Sequence, residues 1–206
     1  MSAGLVIQSP AQAQRLFLLF HGVGATPQDL APLGGRLARE FPDAAVASVP
    51  GPDRSDFDAG FQWFSVLGVT EENRPARVAA TLERFVQTVR EWQQRTGVGR
   101  EATTLVGFSQ GAIMALAATQ APQPPAARVV SLSGRYSELP RSAPPGVQLH
   151  FIHGTADAVI PVSQAQQAAR ALQALGAPVT LDVVAGLPHG INRAVEDLLV
   201  QRARQP

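Results

Sequence analysis

Ser109 stands in Gly107-Phe108-Ser109-Gln110-Gly111, and its surroundings mark it as a candidate nucleophile. Before it, Thr103 to Phe108 is β-branched and apolar, like a strand buried on both faces. After it, the chain from Gln110 is rich in Ala, Leu and Met, which favour helix. A serine forced through a sharp strand-to-helix turn needs neighbours without side chains, and glycine at both flanks meets that need. Such a turn lifts the hydroxyl above the sheet and sets the first free N–H groups of the helix beside it. The chemistry in question is nucleophilic attack by serine.

A serine hydroxyl is a poor nucleophile unless a base takes its proton and a carboxylate orients that base. For a turn of this type the chain order is Ser, then Asp or Glu, then His. The chain has four histidines, His21, His150, His153 and His189. Only His189 follows every candidate acid, in a Pro-His-Gly loop after the last expected strand. His150 lies within a strand, His153 at a strand end, and His21 precedes Ser109 and shapes a glycine loop. The acids between Ser109 and His189 are Glu138, Asp157 and Asp182. Asp182 alternates within a strand and Glu138 sits among prolines. Asp157 follows a strand end, as an orienting acid should. An oxyanion hole needs two backbone N–H donors. Gln110, next after the nucleophile, is one, and Val23 in the glycine loop after an earlier strand is the other.

The elements that must position these residues alternate. Strands are expected at 4–8, 15–20, 44–49, 103–108, 126–131, 147–153 and 179–184. Helices are expected from Thr26 to about Phe41, about Glu71 to Arg95, after Ser109, Val162 to Gly176, and Ile191 to Arg204. Thr26 reads as an N-cap with Pro27 at the first helical position. Val78, Leu82, Phe85, Val89 and Trp92 form one apolar stripe at helical spacing. The pattern predicts an α/β fold, a mostly parallel central sheet with helices on both faces. In such sheets chemistry collects on loops at the carboxyl ends of strands. The four loops around His21–Gly24, Ser109, Asp157 and His189 all fall there. Ser133 to Gly146 is too short for a large cap domain. Residues 50–70 form a long connection holding Asp53, Asp56, Asp58, Phe61, Trp63 and Phe64. Connections this long are often functional.

The 206 residues fit one domain, 1–206, and a net charge of +1 with no basic cluster argues against nucleic acid as partner. No apolar run approaches a membrane span, which excludes stable membrane insertion. The segment Met1 to Gln8 lacks a basic region followed by a long apolar run, so no secretory signal is read and a cytoplasmic location is expected. Without cysteine there is no disulfide and no thiol nucleophile. The chemistry requires no metal and no organic cofactor.

With these residues in hand, the chain resembles the phospholipase/carboxylesterase family of α/β-hydrolase serine esterases, which includes acyl-protein thioesterases and bacterial carboxylesterases. The resemblance rests on Leu19-Phe20-His21-Gly22-Val23-Gly24, Gln62-Trp63-Phe64-Ser65, the Ser109 pentapeptide followed by Ala112, and Leu132-Ser133-Gly134. His153-Gly154-Thr155-Ala156-Asp157 with Ile160-Pro161, and Leu187-Pro188-His189-Gly190, complete it. Gln62 through Arg74 is similar to a small bacterial esterase subgroup. The implied triad is Ser109, Asp157 and His189, with Val23 and Gln110 as oxyanion donors. Many thioesterase members carry aspartate after the Trp-Phe pair, where this chain has Ser65. The expected activity is hydrolysis of short- to medium-chain carboxylic esters through an acyl-enzyme. The rivals are thioester or lysophospholipid deacylation and a hydrolase-fold binding protein with little turnover. The expected partner is a small-molecule ester, with a homodimer left open as an assembly. Trp63 and Phe64 are the candidate substrate-binding residues, sheltering the acyl chain.

Overall fold

The computed structural model describes residues 4–57 and 59–205. Asp58 and the first three residues of the amino-terminal segment lie outside that set. The strands are β1 (Leu5–Gln8), β2 (Arg15–Phe20), β3 (Ala44–Val49), the short pair β4 (Asp53–Arg54) and β5 (Phe61–Gln62), β6 (Thr103–Phe108), β7 (Arg128–Leu132), β8 (Gln148–Gly154) and β9 (Val179–Val184). The helices are α1 (Ala31–Glu40), α2 (Arg74–Thr96), α3 (Gln110–Ala118), α4 (Val162–Ala174) and α5 (Arg193–Ala203). One seven-stranded sheet runs in the order β1-β3-β2-β6-β7-β8-β9. β1 pairs antiparallel with β3 at one edge, and every other pair is parallel.

Alternate strand residues face two separate cores. Leu16, Leu18, Phe20, Leu105 and Leu149 pack with Val78, Phe85 and Trp92 of α2, Ile113 and Leu116 of α3, and Ala168 and Leu172 of α4. Phe17, Leu19, Val46, Val106, Val130 and Ile152 pack with Leu33 and Leu37 of α1 and with Val195, Leu199 and Val200 of α5. Burial on both sides is why β2, β6 and β7 read as continuous apolar runs. α3 is buried almost all round, so its sequence shows propensity and no stripe.

Three expectations shift. Thr26 does receive its acid partner, since its backbone N–H and its hydroxyl both donate to Asp29 Oδ2, at 2.7 and 2.8 Å. Yet Pro27–Leu30 is a tight 3-10 turn, and α1 begins only at Ala31. Pro32 has no N–H to give back to Gln28, so an α-helix cannot run through it from Pro27. α2 starts at Arg74 because Thr70 and Asn73 first close a turn, each side chain accepting the other's backbone N–H. Pro75 then sits in the first helical turn, where no N–H is needed. α5 starts at Arg193, capped by Asn192, whose side chain accepts from the Val195 N–H.

His150 crosses β8 with 4% of its surface exposed, its Nδ1 2.8 Å from Thr180 Oγ1. Burial, with Arg128 and Arg202 adding repulsion, pushes its pKa down from 6.5 to about 4. Unfolded, it binds a proton below pH 6.5 that the folded chain refuses. Stability is therefore full above that pH and falls as pH drops toward 4, by about 3 kcal/mol from this residue. Urea unfolding at pH 7, 5.5 and 4.5 should show a smaller acid loss in His150→Gln than in the native chain. Parallel curves would remove His150 as the source.

Candidate active site

The turn at Ser109 carries the strain its sequence implies. Ser109 has φ 52° and ψ −115°, left-handed for a non-glycine residue. A Cβ on Gly107 would lie 2.4 Å from Ala112 Cα, and one on Gly111 2.2 Å from the Phe20 carbonyl oxygen. Both flanks are thus glycine because backbone passes against backbone. The strain is held by the Ser109 N–H donating to Leu132 O at 3.0 Å and by Ile113 N–H donating to Ser109 O at 3.1 Å.

Three side chains from three loops meet here. Ser109 Oγ lies 2.9 Å from His189 Nε2, and His189 Nδ1 lies 2.8 Å from Asp157 Oδ2. A carboxylate only accepts, so Nδ1 carries the proton and Nε2 presents its lone pair to the serine O–H. Asp157 Oδ1 accepts from the Val159 and Ile160 N–H groups, each at 2.9 Å. Its side chain has no solvent exposure, against 17% for His189. Burial alone would raise the Asp157 pKa, but the hydrogen bonds from His189, Ile160 and Val159 outweigh it and hold the carboxyl below its ordinary value. The Phe108 ring, 5.0 Å from the His189 ring, backs the imidazole.

The Asp157 and His189 loops are joined by backbone. Thr155 N–H donates to Val184 O and Ala156 N–H to Leu187 O, both at 3.0 Å. Gly186 N–H donates to Thr155 Oγ1 at 2.7 Å. A Cβ on Gly154 would lie 2.1 Å from Leu187 O, so only glycine lets the two loops come this close. Gly154 carries no role that sequence alone assigns. A glycine one residue past a strand end and three before a candidate acid was the available signal.

Val23 belongs to a loop that abuts the serine. A Cβ on Gly22 would sit 3.2 Å from Ser109 Cβ. Gly24 N–H donates to Phe61 O at 2.9 Å and Phe61 N–H to Ala25 O at 2.8 Å. His21 Nε2 accepts from Gly51 N–H at 2.9 Å, and its Nδ1 faces Gly22 O at 2.7 Å. His21 therefore shapes the glycine loop as a neutral ring, and burial lowers its pKa. Gln110, first residue of α3, has its N–H at the free end of the helix. Its side chain clamps the long connection: Oε1 accepts from Trp63 N–H at 2.8 Å and Nε2 donates to Phe64 O at 2.7 Å.

A sequence model described as phospholipase/carboxylesterase matches residues 2–199. The chain belongs to the phospholipase/carboxylesterase family. Esterase YpfH of Escherichia coli (strain K12) is 49% identical over 193 residues, 93% of this chain and 83% of that protein. The crystal structure of esterase PE8 superposes with a TM-score of 0.89 at 27% identity, covering 98% of each chain. The carboxylesterase of Bacillus cereus gives 0.82 at 18% identity, over 98% of this chain and 93% of that one. At that identity it speaks for the fold, which is that of the α/β-hydrolases.

Within the family pattern the aromatic pair needs correction. Trp63 and Phe64, expected to shelter an acyl chain, are 1% and 5% exposed. The Trp63 ring packs edge-on against Phe20 and Phe85, and its Nε1–H donates to His21 O at 2.9 Å. Both residues plug the core beneath the loop, because Gln110 pulls their backbone inward. A broad groove bordered by Pro50, Leu82, Glu83 and Gln120 reaches the Trp63 edge but none of Ser109, Asp157 or His189. Ser65, in place of the family's frequent aspartate, donates its hydroxyl to Asp56 Oδ2 at 2.7 Å. A carboxylate thus still stands beside the Trp-Phe pair. Asp56 also accepts from Gln62 Nε2 and Val66 N–H, and the side-chain bonds from Gln62 and Ser65 hold its carboxyl below its ordinary range.

Gly154→Ala should separate the Asp157 and His189 loops. The expected stability loss is about 1–3 kcal/mol, the range for overpacking, with turnover falling further than stability explains. Urea unfolding and ester hydrolysis on the same preparation test this, and an alanine variant with native turnover would show that the close approach is not needed.

Proposed function

We propose that the protein is a serine carboxylesterase acting on short- to medium-chain carboxylic esters, its chain working as a single α/β-hydrolase domain. The observation that carries this reading is the relay from Ser109 Oγ through His189 to a fully buried Asp157. Kinship with esterase YpfH supports the ester class. His189 Nε2 takes the serine proton as Oγ attacks the ester carbonyl. The oxyanion then faces the N–H groups of Val23 and Gln110. Collapse of the tetrahedral intermediate breaks the bond to the alkoxy oxygen, and His189 returns the proton to the departing alcohol. Water, giving its proton to His189, attacks the acyl-serine and releases the acid. Asp157 keeps the imidazole in the Nδ1–H tautomer and stabilises its charged form.

The acyl chain needs an apolar wall near the oxyanion loop, and Phe57 suits it better than Trp63. Its ring is 54% exposed, and a Cβ on neighbouring Gly24 would lie 3.7 Å from it. Each buried methylene contributes about 0.8 kcal/mol, so rates should climb a few-fold per carbon until this short wall is covered.

A fluorophosphonate should label Ser109, and Ser109→Ala should lose on the order of a million-fold in turnover, the scale for removing a triad nucleophile. Labelling that persists in Ser109→Ala would sink the assignment. Ester and thioester substrates of equal acyl length, run side by side, decide between esterase and thioesterase. Phe57→Ala should flatten the chain-length series while leaving the labelling rate with a small phosphonate unchanged. An unaltered slope would return the acyl wall to another segment.

A further inference from the structure

His153 is not used by the relay, yet it touches it. It closes β8 with 1% of its surface exposed. Its Nε2 lies 2.7 Å from the Ile160 carbonyl oxygen and 3.3 Å from Asp157 Oδ2. Both neighbours only accept, so Nε2 carries a proton. Nδ1 is buried and faces no hydrogen-bond partner among the described residues. The Nε2 proton is directed to Ile160 O, in the turn that follows Asp157, and the ring stands beside the carboxylate.

We propose that His153 is a positioning residue for the Asp157 carboxylate, resting on the triad reading above. Asp157 Oδ1 is fixed by the Val159 and Ile160 N–H groups. Oδ2 accepts from His189, with the His153 ring alongside at 3.3 Å. The His153 proton holds Ile160 O, so the turn that grips Oδ1 is itself anchored to the ring. Without that donor, the turn that grips Oδ1 loses its anchor on the ring, and the carboxylate is held less firmly. His189 then loses the fixed acceptor that keeps its Nε2 aimed at Ser109. A ring with no solvent exposure and no contact with substrate acts on orientation alone, so kcat should move and KM should not.

The test uses the full-length protein and a short-chain p-nitrophenyl ester. Gln at position 153 can keep an N–H near the place of Nε2, Asn is too short to reach Ile160 O, and Leu has no donor. His153→Leu should lose about ten-fold in kcat, the upper worth of one neutral hydrogen bond, with KM changed by less than about two-fold. His153→Gln should recover most of that loss. A folded His153→Leu with native kcat, or a folded His153→Gln no faster than His153→Leu, overturns the proposal. If the leucine variant does not fold, the two amides decide. Gln faster than Asn by about ten-fold supports the donor role, and equal rates reject it. Ser109→Ala is assayed alongside. Turnover in that variant would remove the triad reading itself, whereas an inactive Ser109→Ala beside a native-like His153→Leu removes only the role of His153.

Discussion

The active end of this molecule depends on three backbone approaches that no side chain could survive. At Gly107 and Gly111 the start of α3 presses against β6 and against the carbonyls of Phe20 and His21. At Gly154 the end of β8 presses against Leu187. The first pair sets Ser109 in its left-handed conformation and brings the loop of Val23 alongside. The last sets Asp157 within reach of His189. Side-chain hydrogen bonds of 2.8 and 2.9 Å then complete a geometry that the backbone has already fixed. Such preorganisation places the cost of orientation in folding, ahead of any encounter with substrate.

Around that frame, buried polar groups are arranged so that the neutral rings of His21 and His150 stay neutral and the buried Asp157 carboxylate stays charged. Asp157 is satisfied from both oxygens, and His21 is wedged between Gly51 N–H and Gly22 O. His150 is kept neutral by burial and by two nearby guanidinium groups. These devices share a dependence on pH, since acid puts charge on the buried rings of His21 and His150 and takes it from Asp157, whose hydrogen bonds are set for the ionised form.

The candidate site was legible in the sequence wherever chemistry and local geometry coincide. Ser109 announced itself because a strand-forming run, two glycines and a helix-forming run meet at one residue. Asp157 and His189 followed from chain order and from their places just past strands. The sheet could be read because β2, β6 and β7 are apolar on both faces. Side-chain direction was not legible. Phe61, Trp63 and Phe64 have the same composition whether they line a pocket or plug a core, and the deciding contact is Gln110, more than forty positions away. His153 looked like an inferior rival to His189, because its neighbour Ile160 is set by a turn that only the folded chain defines. Pro32 could have moved the start of α1, had its missing N–H been weighed against the strong capping signal at Thr26.

The connection after β3 is pinned at both ends. Gly51 is tied to His21 on one side, and Trp63 and Phe64 are tied to Gln110 on the other. Between them, Phe61 is tied to Gly24 and Ala25 and Asp56 to Gln62, Ser65 and Val66, which leaves the exposed tip at Phe57 outside both cores. Loop closure entropy rises only by about 0.6 kcal/mol for each doubling of length. The tip can therefore be lengthened, shortened or exchanged as a cassette while the anchors carry the structural load. With the proposed acyl wall at this tip, preference for one acyl group over another becomes an evolutionary variable separable from the power to hydrolyse, and a library confined to the tip would search substrates without searching folds.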